Sequence, residues 1–149
     1  MELLFVSNTF QQDLSRGLVI ENKLLECFRK KYPSASLVHK YKGYDIWIPE
    51  TQKSIEVKYD PMSNETGNLV VEIEMFNKPS ALMTTEASYW VFYDDIKCLI
   101  IKPMDIVNCI FINKLTYKEF IGTGDTVSKK AFLIPKDILC SYGHTFKCL

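Results

Sequence analysis

Tyr44-Asp45-Ile46-Trp47-Ile48-Pro49, then Glu50-Thr51-Gln52-Lys53, then Ser54-Ile55-Glu56-Val57-Lys58-Tyr59-Asp60 is the stretch on which the fold turns. Two runs rich in β-branched and aromatic residues enclose a short polar segment, a pattern that predicts a hairpin of two strands. Side chains alternate across a strand, so Ile55, Val57 and Tyr59 point one way and Glu56 and Lys58 the other. On the partner strand Asp45 shares a face with Trp47, while Ile46 and Ile48 share the opposite one. Closing the turn brings Asp45 toward Glu56, with two carboxylates and an ammonium on one side of the hairpin. Like charges on half-buried strands are costly unless something compensates them. A divalent cation would do so, since magnesium takes carboxylate oxygens at about 2.0–2.1 Å. Lys58, roughly 7 Å further along the strand than Glu56, would then face a water or a phosphate oxygen. That set of groups is equipped for metal-assisted hydrolysis of a phosphodiester.

Asp45 followed by Glu56-Val57-Lys58 resembles the signature of the PD-(D/E)xK nucleases, the restriction-endonuclease-like superfamily, over residues 15–95. Family members often carry proline before the first aspartate, where this chain has Tyr44. The resemblance implies an α/β fold: a central mixed sheet flanked by helices, in the order αβββαβ. It implies Mg²⁺ or Mn²⁺ as cofactor, with Asp45, Glu56 and the Val57 carbonyl as metal ligands. Lys58 would orient the attacking water or stabilise charge. Resolvase-like members also carry a glutamate on the first core helix that joins the site, a role that falls here to Glu21. The implied activity is endonucleolytic cleavage of DNA, with structure-specific or junction-resolving enzymes among the relatives and a homodimer among the working forms. The alternative is an inactive relative that binds nucleic acid or a protein partner.

Around this centre, 149 residues at 47% hydrophobic and 24% charged predict one globular domain over residues 1–149. The run Met1–Val6 is apolar but short and has no basic leader, so it is expected as a strand or a segment packed across the core, not a signal peptide or a membrane span. Five cysteines without a C-x-x-C pair suggest reduced thiols and a cytoplasmic setting, and the small size and local similarity suggest a phage or mobile element.

Residues 15–32 predict the first helix, with Ser15 as cap, Gly17 easing the entry and Tyr32-Pro33 ending it. Leu24, Leu25, Phe28 and Tyr32 form an apolar stripe, Glu21 falls in its middle, and Lys23, Glu26 and Lys30 fall on the solvent side. A carboxylate centred on a buried face is seldom left unpaired, which turns Glu21 toward a site; a solvated first-turn glutamate is the plainer possibility.

A strand over Ala35–Tyr41 is expected next, with His39 structural and Lys40 and Lys42 on a solvated edge or against a nucleic-acid backbone. Leu69 to Met75 alternates as a strand that places Glu72 and Glu74 on its polar face, solvated or lending a further carboxylate to the site. Ser80 reads as the cap of a short helix whose start, beside Lys78, is a phosphate-binding corner. Tyr89–Tyr93 and Lys97–Lys102 form a second hairpin with Asp94-Asp95 at its tip, chosen as turn residues. Pro103 opens a helix to Phe111, and Ala131–Pro135 is a strand leading into a helix from Lys136 to Cys140. Gly122-Thr123-Gly124-Asp125 is a turn, and Cys140, His144 and Cys148 lack the fourth ligand of a zinc site.

Net charge is zero, 18 basic against 18 acidic residues, yet it is unevenly spread. Residues 20–42 are basic and residues 43–75 acidic, a pairing that suits a metal-requiring centre beside a backbone-binding flank.

Overall fold

The computed structural model describes residues 2–39, 41, 43–121 and 128–148, with the side chains of residues 2–14 left aside. The elements are α1 (Glu2–Arg29), β1 (Ser36–Leu37), β2 (Ile46–Ile48), β3 (Lys53–Tyr59), α2 (Ser63–Thr66), β4 (Asn68–Met75) and β5 (Lys78–Pro79). A single 3₁₀ turn (Ala81–Met83) precedes β6 (Tyr89–Tyr93), β7 (Cys98–Ile101), α3 (Pro103–Ile112), β8 (Tyr117–Ile121), β9 (Ser128–Pro135), α4 (Lys136–Cys140) and β10 (His144–Phe146).

A six-stranded mixed sheet, ordered β1-β2-β3-β6-β7-β10, forms the centre. Its one parallel pair is β3 with β6, where Glu56 lies beside Trp90 and Lys58 beside Phe92. One face carries α1, whose Ile20, Leu24 and Leu25 bury against Ile46, Ile48, Ile55 and Val91. The other face, bearing Trp90, Phe92, Leu99 and Ile101, packs on α3, α4 and a second sheet through Leu69, Val71, Ile106, Ile134 and Leu139. The expectation of a mixed α/β fold therefore holds. The second sheet, β5-β4-β9-β8, is four-stranded and antiparallel and was not anticipated. It takes β4 and β5 from the connection between β3 and β6, and β8 and β9 from the one between α3 and α4.

Three local expectations are corrected. Met1–Val6 is not a strand: α1 already begins at Glu2 and runs 28 residues, through Ser15 and Gly17, so neither of these marks its start. A glycine inside a helix costs only about 1 kcal/mol relative to alanine, an amount the packing of Ile20, Leu24 and Leu25 readily offsets. Lys23 is not on the solvent side; its ammonium donates to the Tyr93 hydroxyl at 2.8 Å. The strand expected over residues 35–41 shrinks to Ser36–Leu37, opposite Trp47 and Ile46, and beyond it the Val38 amide still donates to the Asp45 carbonyl at 2.8 Å. His39 sits in an exposed turn beyond that strand. Lys40, Lys42 and the turn at residues 122–125 lie outside the described residues.

The β6–β7 hairpin, α3 and the β9–α4 junction fall where the sequence places them. All five cysteines are free thiols. Cys148 packs on Cys98, their sulfurs 3.5 Å apart, while His144 faces solvent. No helix among the described residues is long and apolar enough to cross a membrane.

Candidate active site

The central hairpin closes through Pro49–Gln52, with Gln52 at φ 54°. Ile46 pairs with Ile55, Trp47 with Ser54 and Ile48 with Lys53. The paired register ends at Ile46, and Asp45, one position before it, lies near enough for its charge to act on Glu56. There the strands part. The Asp45 amide still donates to the Ile55 carbonyl at 2.9 Å, but its side chain, not its backbone, meets the next donor. Asp45 Oδ2 accepts from the Val57 amide at 2.7 Å. In a strand a residue's amide and carbonyl open on the same edge, so the Val57 carbonyl faces the Asp45 side as well. The burial of Ile46, Ile48 and Ile55 on the α1 face leaves Glu56 and Lys58 on the face toward the second sheet, with Asp45 just outside β2 at the strand edge.

Lys58 lies 3.4 Å from Glu56 Oε1 and keeps a third of its side chain exposed. Its ammonium sits 4.9 Å above the ring centre of Trp90, which is buried. The indole thus forms a floor that fixes the height of the ammonium through a cation–π contact. Glu21, half-buried on α1, joins the acids electrostatically: burial, then the Asp45 charge, raise its pKa above the ordinary glutamate value. Burial likewise raises Asp45, against the pull of the Val57 amide and of Lys58. Glu56 carries the largest effect. Burial and then the charge of Asp45, reinforced by Glu21, push its carboxyl up to about 7, although Lys58 draws it down.

Glu21, Asp45 and Glu56 thus act on one another electrostatically while, among the described residues, Lys58 forms its ion pair with Glu56 alone, an excess of negative charge in a half-buried place. Among the described residues no three His, Cys, Asp or Glu side chains close on one point as a preformed metal site. Asp45 is occupied by the Val57 amide and Glu56 by Lys58. The donor chemistry nevertheless fits a hard divalent cation, because every available ligand is an oxygen and the unmet charge is negative.

Glu56 and Lys58 open onto a cavity of about 280 Å³ that is also lined by Glu72, Ser80, Thr84, Thr85 and Trp90. Ser80 donates to Glu72 Oε2 at 2.7 Å. Thr85 Oγ1 accepts from the Trp90 indole at 2.9 Å. Of the two acids left open by the sequence, Glu72 lines the cavity and Glu74 pairs with Lys130 at 2.9 Å. The helix expected after Ser80 is three residues of 3₁₀ turn without a side-chain cap, too short to bind phosphate, and Lys78 is exposed on β5. The hydroxyls at Ser80, Thr84 and Thr85 escaped sequence reasoning. Their signal, three hydroxyl residues within six positions before a core strand, is the composition of an ordinary loop. Along the β2 edge, Tyr41, Tyr44 and Trp47 follow one another at ring-centre distances of 5.1 and 6.1 Å, and Tyr41, half exposed, donates to Glu86. Comparison of the chain with protein-family models, with curated proteins and with solved structures gave no match.

Proposed function

We propose that this chain is a metal-dependent nuclease that hydrolyses DNA phosphodiester bonds. The observation that carries the proposal is the hydrogen bond from the Val57 amide to Asp45 Oδ2, which holds that carboxylate beside the Glu56–Lys58 pair. Asp45, Glu56 and the Val57 carbonyl would hold Mg²⁺ or Mn²⁺, with Glu21 completing the shell. When bound, the cation would polarise the phosphoryl group and make a water more acidic. The chain's own contribution is positioning. The Val57 amide fixes the Asp45 rotamer, and Trp90 and Glu56 hold Lys58 where it can orient a water or meet charge developing on the phosphoryl oxygens. Exposed Tyr41 adds a surface on which a base can stack.

Supercoiled, linear, single-stranded and branched DNA incubated with Mg²⁺, Mn²⁺ or EDTA provide the test. Cleavage that EDTA abolishes is the expected result. Lys58→Ala is expected to keep the fold and lower turnover by roughly 10²- to 10³-fold, the scale of removing one preorganised charge-stabilising donor. Salt-sensitive binding with no cleavage under any metal would replace the nuclease with the inactive, binding relative. Wild-type turnover by Lys58→Ala would remove the lysine from the mechanism.

A further inference from the structure

The cavity beyond the acids has a hydrogen-bonding pattern of its own. Thr85 Oγ1 accepts from the Trp90 indole at 2.9 Å and from the Ala87 amide at 3.2 Å. Both lone pairs are therefore used, and its hydroxyl hydrogen is left to give away. Opposite in character is the Glu72–Ser80 pair. Ser80 spends its hydrogen on Glu72 Oε2, which leaves Ser80 Oγ and Glu72 Oε1 as adjacent acceptors. Glu72 comes from β4 of the second sheet and Glu56 from β3 of the first, and both line this cavity. A cube of the cavity's 280 Å³ is roughly 6.5 Å on a side, far less than the width of a duplex, whose major groove alone spans roughly 12 Å, so no paired helix enters it. One unstacked base does, as in enzymes that read a nucleotide taken out of the stack.

We propose that this cavity receives a single unstacked nucleotide next to the cleaved phosphodiester, and that Glu72 with Ser80 reads the exocyclic amine of its base. The proposal rests on the nuclease assignment and deepens it. Two adjacent acceptors match the two hydrogens of an amine on cytosine, adenine or guanine, and the Thr85 hydroxyl meets the ring nitrogen or carbonyl beside that amine. Thymine has a single imino hydrogen and leaves one acceptor unmet in a half-buried place, which costs affinity. The preferred substrate is accordingly single-stranded or locally melted DNA with an amine-bearing base at the cleaved position.

The test compares fluorescein-labelled oligo-dC, oligo-dA and oligo-dT of equal length. Cleavage is measured in Mg²⁺ or Mn²⁺, and binding is measured by fluorescence anisotropy in EDTA. With wild-type protein, oligo-dC and oligo-dA are expected to exceed oligo-dT about tenfold in kcat/KM, with the difference in KM, and to bind correspondingly tighter. Glu72→Ala is expected to erase that ratio in both assays while its circular dichroism melt stays close to the wild-type one. Active wild-type protein that treats the three oligomers alike, or a Glu72→Ala variant that keeps the preference, overturns the subsite and leaves the nuclease assignment standing. Absence of cleavage of every substrate overturns the nuclease assignment; the anisotropy ratio then decides the base-reading site by itself.

Discussion

Glu56 sits among like charges, and burial is the largest of the influences that hold its carboxyl at about 7. An unfolded glutamate releases its proton near 4.3. Between about 4.3 and 7 the folded protein therefore keeps a proton that the unfolded chain has lost, so stability falls as pH rises through that window and the full penalty applies above about 7. At about 1.4 kcal/mol for each pH unit the penalty is at most about 4 kcal/mol, and the remaining solvent contact of Glu56 lowers it to about 2–3 kcal/mol. Glu56→Gln, which keeps the shape and removes the charge, is expected to match wild type near pH 4 and to exceed it by about 2–3 kcal/mol at pH 8, measured by urea unfolding in EDTA. Magnesium at a hundredfold excess over its dissociation constant is expected to return about 2.7 kcal/mol to wild type and far less to the variant. A variant no more stable than wild type at pH 8 would mean that the acids do not strain one another. The carboxylates and Lys58 were legible because period-two alternation and a tight turn suffice to place them. Trp90 under the lysine was not, since a strand 34 positions away pairs with Glu56 only through a parallel register that no local pattern encodes.

At the scale of elements, the hairpins and α3 were legible because their turn residues and proline act locally, on their immediate neighbours. Helix α1 was misjudged at its start and the second sheet was missed, for related reasons. Gly17 punctuates a sequence strongly, yet in a helix anchored by Ile20, Leu24 and Leu25 it is a modest cost. Tyr117–Ile121 is exposed along its whole length, so it lacks the alternation that marks a half-buried strand; it is held at one edge by β9. Continuity of α1 makes a direct prediction. A Cβ added at Gly17 meets nothing within 4 Å, so Gly17→Ala is expected to stabilise the protein by about 0.5–1 kcal/mol. No gain in the thermal midpoint would place a break in the helix at this point. By contrast, a Cβ at Gly143 would press on the Ile100 carbonyl at 2.5 Å and on Ile101 and Leu99 at 3.0 Å. Gly143→Ala is therefore expected to loosen β10 from β7, read as faster amide exchange along His144–Phe146.

At the scale of the whole molecule, a buried ion pair joins the two sheets beside their shared apolar core. Asp94 lies at the tip of the β6–β7 hairpin and Lys136 at the junction of β9 and α4, and they form a salt bridge with both side chains largely shielded from water. Asp94 Oδ1 also accepts from the Ile96 and Lys97 amides at 2.8 and 2.7 Å, the role of a turn residue that its sequence position implies. Lys136 donates further to Asn64 Oδ1 at 2.8 Å. Burial works against ionisation of Asp94, but Lys136 and the two amides outweigh it and hold the carboxyl below the ordinary aspartate value. The sign is opposite to that of Glu56: this contribution is present above the unfolded pKa, near 3.9, and disappears as pH falls through the lower folded value. Removing one partner of a buried pair strands the other charge, typically at a cost of about 3–5 kcal/mol. Asp94→Ala is thus expected to lower stability by about that amount at pH 7 and by less at pH 3, whereas the joint replacement Asp94→Asn with Lys136→Met, which removes both charges and keeps the turn acceptor, is expected to recover most of the loss. Because Lys136 sits where the second sheet meets the first, Asp94→Ala should also spread the two sheets and increase amide exchange in β4 and β9. Equal losses from the single and the double variant at pH 7 would show that the attraction within the charge pair, and neither the turn hydrogen bonds nor a stranded Lys136 charge, joins the sheets.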